Sequence, residues 1–372
     1  MTAKIVLFGA TGYTGHLVAE ALVKRGLRPV LCGRNKEKLD RLAAELGGLQ
    51  IAVADIRDET ALAAQLSRGD ILISTVGPFA KYGRTAVLAA VRKGALYIDS
   101  TGEPAFIEAV FENFGPQSLA NGATLMPACG YDYVPGNCAA GLLLEAAGAK
   151  GARVDIGYYS KFNGRIGSLQ TSQGTQSSLR LAMVVPIKVW RSGKLVQETG
   201  GIRVRRFEVD GMDHPGLTIS GTEHFSLPRI YPDLEDINTY LGWFAKRTYF
   251  MQRAAQMQSW LLKIPGYRAV ATLVLSVLPE SKGRGPNAEQ REMNTSHIIG
   301  EAFGAGGEML SRVELVGVDG YTFTARFIAW AAEMAVSGKI SKTGAIGPVE
   351  AFGLDALRGG CEQSGLTVAI PK

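Results

Sequence analysis

Through the first 150 residues, short apolar runs alternate with stretches in which apolar positions recur every three or four residues. The runs Lys4–Phe8, Pro29–Cys32, Leu49–Val53, Ile71–Thr75, Leu96–Ile98 and Ala123–Met126 have the length and β-branched content of strands buried on both faces. Between them the spacing is helical: Leu17, Val18, Ala21 and Leu22 after the first run, Lys36–Leu46 after the second, and Thr85–Lys93 with Val87, Leu88 and Val91 after the fourth. Pro135–Ala147 reads as a further helix, opened by a proline near its first turn. Short strands and helices in strict alternation predict an α/β domain with a doubly wound, Rossmann-type parallel sheet.

After Gly151 the pattern changes. Arg153–Tyr159, Ile187–Trp190 and Ile202–Val209 alternate as strands of an antiparallel sheet, with Ser192-Gly193 as a hairpin turn. Gln176–Met183 reads as a helix, and Ile237–Ile264 as a long helical stretch rich in aromatic residues (Tyr240, Trp243, Phe244, Tyr249, Phe250, Trp260). A loop is expected at Glu280–Asn287, a hairpin at Val313–Phe323 around Asp319-Gly320, a helix from there through Met334, and a last helix at Glu350–Gly359. The expected division is a nucleotide-binding domain over 1–150, an α+β substrate domain over 151–345, and a C-terminal helical segment over 346–372 packing back on the core.

The chain's 372 residues, 46% hydrophobic and 20% charged, describe a folded protein of about two domains rather than a disordered one. The four cysteines (Cys32, Cys129, Cys138, Cys361) form no C-x-x-C pair, and His16, His214, His224 and His297 lack metal-ligand spacing, so no metal is expected. Residues 1–15 enter the first strand at once, with no signal-peptide pattern, and apolar runs such as Ala269–Leu275 fall short of the roughly 20 residues that span a bilayer. A reduced, cytoplasmic setting is expected. Net charge is +6, and between Lys161 and Arg206 nine Lys or Arg residues meet one acid, Glu198. No nucleic-acid motif accompanies them, so a solvated sheet face, or attraction to an anionic ligand or membrane surface, is expected rather than nucleic acid.

The candidate chemistry begins where the first strand ends, at Gly9-Ala10-Thr11-Gly12-Tyr13-Thr14-Gly15. Strand, glycine turn, helix is the context of a dinucleotide site. The glycines allow a tight turn and close approach of backbone to a pyrophosphate, and free N–H groups at the helix start attract the phosphates. The spacing G-x-x-G-x-x-G departs from the standard G-x-G-x-x-G. Past the second strand, Cys32-Gly33-Arg34-Asn35-Lys36-Glu37-Lys38 lacks the acid that holds the ribose hydroxyls of NAD. Arg34, flanked by Asn35 and helped by Lys38, suits the 2′-phosphate of NADP instead. Asp55 is placed to accept from adenine or to cap the next helix. Ser74-Thr75-Val76-Gly77-Pro78, followed by Tyr82, lies at the carboxyl end of the fourth strand, where open α/β sheets bind ligands. Gly102 and Cys129 come after the fifth and sixth strands. For catalysis, Tyr131, Asp132 and Tyr133 place two phenols and a carboxyl after the sixth strand, any of which could protonate a reduced substrate; a tightly packed loop would look the same.

Taken together, these residues resemble the saccharopine dehydrogenase-like oxidoreductases, and more narrowly the bacterial branch that includes the mycobacterial trans-acting enoyl reductases. The resemblance rests on Gly9–Gly15, Gly33-Arg34, Val76–Phe79 with Tyr82-Gly83, Tyr97–Glu103 and Cys129–Pro135, and extends to Gly174–Ser178 and Gly285–Arg291. It implies an NADP-binding Rossmann domain joined to an α+β substrate domain. The enoyl-reductase branch reduces a carbon–carbon double bond in a lipid or polyketide intermediate held by a synthase. In the true saccharopine enzymes an imine is reduced or formed, and arginines such as Arg165 or Arg180 would grip carboxylates. The resemblance carries over no universal catalytic residue. An apolar or lipid-like substrate, free or carrier-bound, is the leading expectation. An imine, or a non-enzymatic NADP-bound sensor at a lipid surface, is the alternative. The Tyr240–Trp260 segment suits an apolar substrate, peripheral membrane contact or a core helix pair, and a homodimer is the base-rate expectation.

Overall fold

The computed structural model describes residues 3–167, 186–262, 264 and 285–369, which form two compact units. Gly174–Ser178, the helix expected at Gln176–Met183, Arg180, Ala269–Leu275 and the first part of the Glu280–Asn287 loop lie outside the described residues. The first unit is discontinuous: Met1–Gly102, Phe106–Val134 and Gly320–Leu366. The second comprises Glu103–Ala105, Pro135–Asp319 and Thr367–Lys372.

In the first unit β1 (Ile5–Phe8), β2 (Val30–Gly33), β3 (Ile51–Val53), β4 (Ile71–Ser74), β5 (Leu96–Asp99) and β6 (Thr124–Met126) are all parallel, in spatial order 3-2-1-4-5-6. This is the doubly wound order, and it puts the topological switch between β1 and β4. A seventh strand, Gly344–Ala345, adds in parallel beside β6. At two residues it carries no periodicity by which sequence could reveal it. Every residue of β1, β2, β4 and β5 is buried, as parallel strands covered on both faces require.

Two helices on this sheet run in the same direction side by side. Tyr13 of α1 (Tyr13–Lys24) meets Tyr321 edge to face at 5.1 Å, and Arg25, just past the end of α1, pairs with Glu333 twelve residues further along the helix Gly320–Val336. The inward residues of the latter include Phe323, Phe327 and Trp330, with Phe327 stacked on Phe323 at 5.5 Å and packed against Trp330 and Phe352. The expected hairpin at Val313–Phe323 is therefore not formed. Asp319-Gly320 marks the entry to this helix, and the hairpin lies earlier, between Asn294–Phe303 and Met309–Gly317, turning at Gly304–Glu308. An Asp-Gly pair marks a change of direction and leads into a helix as readily as into a strand. The helix Phe79–Lys93 starts six residues before the expected Thr85, with Gly83 inside it because a Cβ there would come within 2.4 Å of the Phe106 ring. The last helix is broken in two, Pro348–Phe352 and Leu354–Gln363, at Gly353 (φ +74°).

The second unit is built on a sheet of β7 (Arg153–Phe162) flanked by Asp236–Leu241 and Asn294–Phe303, with Met212–Ile219 and Val204–Val209 beyond one side and Met309–Gly317 and Leu366–Ala369 beyond the other. It is mostly antiparallel, but Asp236–Leu241 runs parallel to β7. That strand corrects the expected helix over Ile237–Ile264, whose helical part is Thr248–Leu261. Ile237, Thr239 and Leu241 alternate, and pairing on both sides decided between the two readings of an apolar run. The Ser192-Gly193 turn joins Ile187–Arg191 to Lys194–Glu198, both residues at positive φ (+46° and +73°) as a tight hairpin needs. Among the described residues, no helix is long and apolar enough to cross a membrane.

The positive stretch Lys161–Arg206 is largely neutralised by acids supplied elsewhere. Arg205 pairs with Asp155 and Glu301, Arg191 with Asp236 at 3.5 Å, and Lys161 with Asp210, while Arg203 pairs with Glu198 at 2.7 Å. His224 is fully buried and kept neutral, its pKa lowered to about 3 by burial and by Arg191 and Arg203; its Nδ1 accepts the Trp190 N–H at 3.0 Å. Because the helix Gly320–Val336 belongs to the first unit's core, Phe327→Ala should cost about 3–5 kcal/mol and lower the urea midpoint of unfolding. A change below about 1 kcal/mol would contradict this packing.

Candidate functional site

In a sheet whose strands are all parallel, every carboxyl end lies along one edge. The sequence candidates of the first unit all stand on that edge, after β1, β2, β3, β4, β5 and β6 in turn.

At the switch point the turn after β1 and the loop after β4 close on one another. Thr75 N donates to Phe8 O at 2.9 Å, and Thr75 Oγ1 donates to Gly9 O at 3.2 Å. Gly9 sits at φ +88°, and a Cβ on it would come within 2.7 Å of Val76 Cγ2 and 2.8 Å of Thr75 Oγ1. A Cβ on Gly15 would come within 2.2 Å of Gly9 O. Both positions therefore require glycine. Gly12 differs: it is exposed, has ordinary extended backbone (φ −79°, ψ 168°) and forms the N-cap of α1 without any side-chain cap. Its N–H donates back to Gly9 O at 2.9 Å. Ala10 is buried, Thr11 exposed, and Tyr13 and Thr14 partly exposed. A 12-residue helix without a side-chain cap, opening at a glycine, fits a pyrophosphate.

Arg34, Asn35 and Lys38 are exposed beyond β2. Asn35 Oδ1 accepts from Lys38 N at 2.9 Å, so its side chain caps the helix Lys36–Glu45. Arg34 makes no ion pair among the described residues, which leaves its guanidinium available to a phosphate. Asp55 is exposed after β3 and accepts from Arg57 N at 3.0 Å; the cap of the following helix is Asp58, not Asp55. Ser74 is fully buried at the end of β4, and its Oγ has no partner among the described residues. Gly77 is exposed, and Pro78 is the N-cap of the helix that carries Tyr82 in its first turn.

The loop after β6 is tied to β5 by Asp99. Asp99 Oδ1 accepts from Ala128 N at 2.8 Å and from Thr101 N at 2.9 Å, and its backbone oxygen accepts from Cys129 N at 2.7 Å. Burial, then the nearby Asp99 charge, pushes the Cys129 thiol well above its ordinary pKa, so it stays protonated. Tyr131 is buried against Gly320 and Phe323, its N–H held by Thr324 Oγ1 at 2.9 Å. Thr324, nearly two hundred residues away, went unnoticed in the sequence because a threonine on an apolar helix has no distinguishing pattern. Tyr133 is buried and its hydroxyl donates to Gly102 O at 3.3 Å.

Asp132 stands between these phenols across a cis peptide to Tyr133, and unlike them it is only partly buried. Its Oδ2 lies 2.6 Å from where a Cβ on Gly102 would stand. Desolvation raises its carboxyl from the ordinary 3.8 to about 7. A carboxyl with that value exchanges a proton near neutral pH.

Comparison with known proteins agrees with this geometry. Residues 5–123 match the family model of the saccharopine dehydrogenase NADP binding domain. A trans-acting enoyl reductase of Mycobacterium leprae is 39% identical over 137 residues, covering 35% of this chain and 33% of the relative. A lipid droplet localized protein of Caenorhabditis elegans is 34% identical over 143 residues, covering 35% of this chain and 34% of the relative. The match thus spans about a third of the length of these curated relatives. Among solved structures, the saccharopine dehydrogenase (L-Glu forming) of Saccharomyces cerevisiae aligns over the full length of both chains with a TM-score of 0.59 at 15% identity, a likeness of fold. Residues 5–123 are therefore an NADP-binding domain of the saccharopine dehydrogenase family, in a chain whose fold is like that of a saccharopine dehydrogenase over its full length.

Proposed function

We propose that the protein is an NADPH-dependent reductase that saturates a carbon–carbon double bond next to a carbonyl in a lipid-like or polyketide-type substrate, free or carrier-bound, in a cytoplasmic setting. The observation that carries this reading is Asp132: a carboxyl kept half-protonated near neutral pH, on the sheet edge that holds the dinucleotide turn. The relatives named trans-acting enoyl reductase support the substrate class, and the one named for lipid droplets is consistent with it.

In this reading the Gly9–Gly15 turn holds the pyrophosphate, Arg34 and Lys38 the 2′-phosphate, and Asp55 the adenine. The Ser74–Pro78 loop, Tyr82, Gly102 and Cys129 border the rest of the cofactor. NADPH, when bound, supplies hydride to the β-carbon. Asp132 then gives its proton to the α-carbon and is reprotonated from solvent before the next turnover. Tyr133 holds the Gly102 carbonyl, and Tyr131 packs the loop from below, so both position Asp132 rather than donate.

The test is NADPH consumption with 2-enoyl thioesters of increasing acyl length, compared with an aldehyde plus an amino acid. Turnover that improves with acyl length is expected. Turnover only with the aldehyde and amine would replace this reading by imine reduction. Tight NADPH binding with no consumption in either case would replace it by a sensor.

Arg34→Glu should weaken NADPH binding by roughly 10- to 100-fold and leave NADH binding nearly unchanged. Equal losses would remove Arg34 from the 2′-phosphate.

Wild-type turnover should decline above about pH 7, and Asp132→Asn should lower kcat by about 10²- to 10⁴-fold and abolish that decline. Because folding raises this carboxyl's pKa, its ionisation opposes folding, so wild-type stability falls as pH rises from 3.8 through about 7. Asp132→Asn should therefore melt higher than wild type at pH 8 to 9 (roughly one to two units above the folded pKa). A Tm difference between variant and wild type that stays the same from about pH 4 to about pH 8 would contradict the raised pKa.

A further inference from the structure

The helix Thr248–Leu261 in the second unit is built the wrong way round for a surface helix. It is tied to the body through polar and small residues: Gln252 and Gln256 donate to Ile202 O at 3.2 and 3.4 Å, and Ala255 faces Gly201. Met251 and Leu261 are partly buried, but three of its large apolar side chains point outward. Phe250 is 71% exposed, Met257 63% and Trp260 64%, spaced seven and three residues apart along one face. Ile264, just beyond, is 44% exposed. A helix that serves only its own fold buries that stripe and turns its glutamines to water.

The charge around this face has one sign. Lys246, Arg247 and Arg253 are exposed and make no ion pair among the described residues. From Ile237 to Pro279 the sequence contains no Asp or Glu, while it contains five Lys or Arg. Several arginines elsewhere in the second unit are matched by acids, as Arg203 is by Glu198 and Arg205 by Glu301. Here they are not. Exposed aromatic and aliphatic side chains with unmatched cations at their level complement a surface that is apolar below and negative at its rim.

We propose that this helix lies in the plane of an anionic phospholipid surface, with Phe250, Met257 and Trp260 inserted among the acyl chains and Lys246, Arg247 and Arg253 at the headgroups. At 14 residues the helix is too short to span a bilayer, so the contact is peripheral.

The experiment is flotation of the full-length protein with phosphatidylcholine vesicles, with and without phosphatidylglycerol. Binding to the anionic vesicles, weakened by salt and accompanied by a blue shift of tryptophan emission, is expected. Phe250→Ser with Trp260→Ser should abolish it, and Lys246→Glu with Arg253→Glu should reduce it by at least about tenfold on anionic vesicles. Both variants should melt at the wild-type temperature, because the altered side chains face outward, and should bind NADPH as wild type does. Two results would overturn the proposal. One is flotation that is absent in wild type or unchanged in both variants. The other is a wild-type dimer that Phe250→Ser with Trp260→Ser converts to monomer without any change in flotation, which would make the face a contact between copies.

Discussion

The first unit depends on a close approach of backbone to backbone at the switch point of its sheet. The chain leaving β1 must turn within a few residues into α1, while the chain leaving β4 departs to the other side. Thr75 bridges the two by its N–H and its hydroxyl, and there is no space for a side chain at Gly9 or Gly15. That contact fixes where α1 begins and so where its first N–H groups point. The cofactor site is a consequence of strand order and of the absence of two Cβ atoms.

A second tie organises the opposite half of the same edge. Asp99 accepts two backbone N–H groups through one carboxylate oxygen, one of them from the loop after β6, so that loop is pinned to β5. Thr324 pins it again at Tyr131. Pinned twice, the loop holds Asp132 in a poorly solvated position beside Gly102, where a glycine is needed to admit the carboxyl. The raised pKa of Asp132 is thus a property of the packing around it, not of any charged neighbour.

Much of the first unit was legible in the sequence, because parallel strands buried on both faces leave unbroken apolar runs and because glycines at a strand end have few other uses. The six strands were read to within two residues and the helix Lys36–Glu45 to within one, whereas the helix Phe79–Lys93 begins six residues before the expected Thr85. What escaped was set by contacts between distant parts of the chain. The strand Gly344–Ala345 exists only because β6 has a free edge for it, and the helix Gly320–Val336 joins this unit from nearly two hundred residues downstream. In the second unit, Asp236–Leu241 reads equally well as helix or strand until β7 and Met212–Ile219 pair with it. The charge excess of Lys161–Arg206 is smaller in the fold than in the sequence for the same reason: Asp155, Asp236 and Glu301, which offset it, lie outside the stretch. Asn35 and Asp55 show the limit at the site itself, since a residue type suited to a ligand is equally suited to a helix start or a tight turn, and only the hydrogen bonds distinguish them.

The glycine turn offers one position at which cofactor binding and folding separate. Gly12 is exposed, its backbone conformation is open to any residue, and an added Cβ would meet Gly9 O at 3.2 Å, so Gly12→Ala should fold with a modest loss of stability, about 1 kcal/mol. The added methyl would nevertheless stand at the uncapped start of α1, where a pyrophosphate must approach. Titration of NADPH into wild type and Gly12→Ala is the most direct measurement. A loss of at least about tenfold in affinity, with the variant still folding cooperatively and its Tm lowered by only a few degrees, is expected. Equal affinities would place the dinucleotide elsewhere and remove the basis for assigning chemistry to this edge of the sheet.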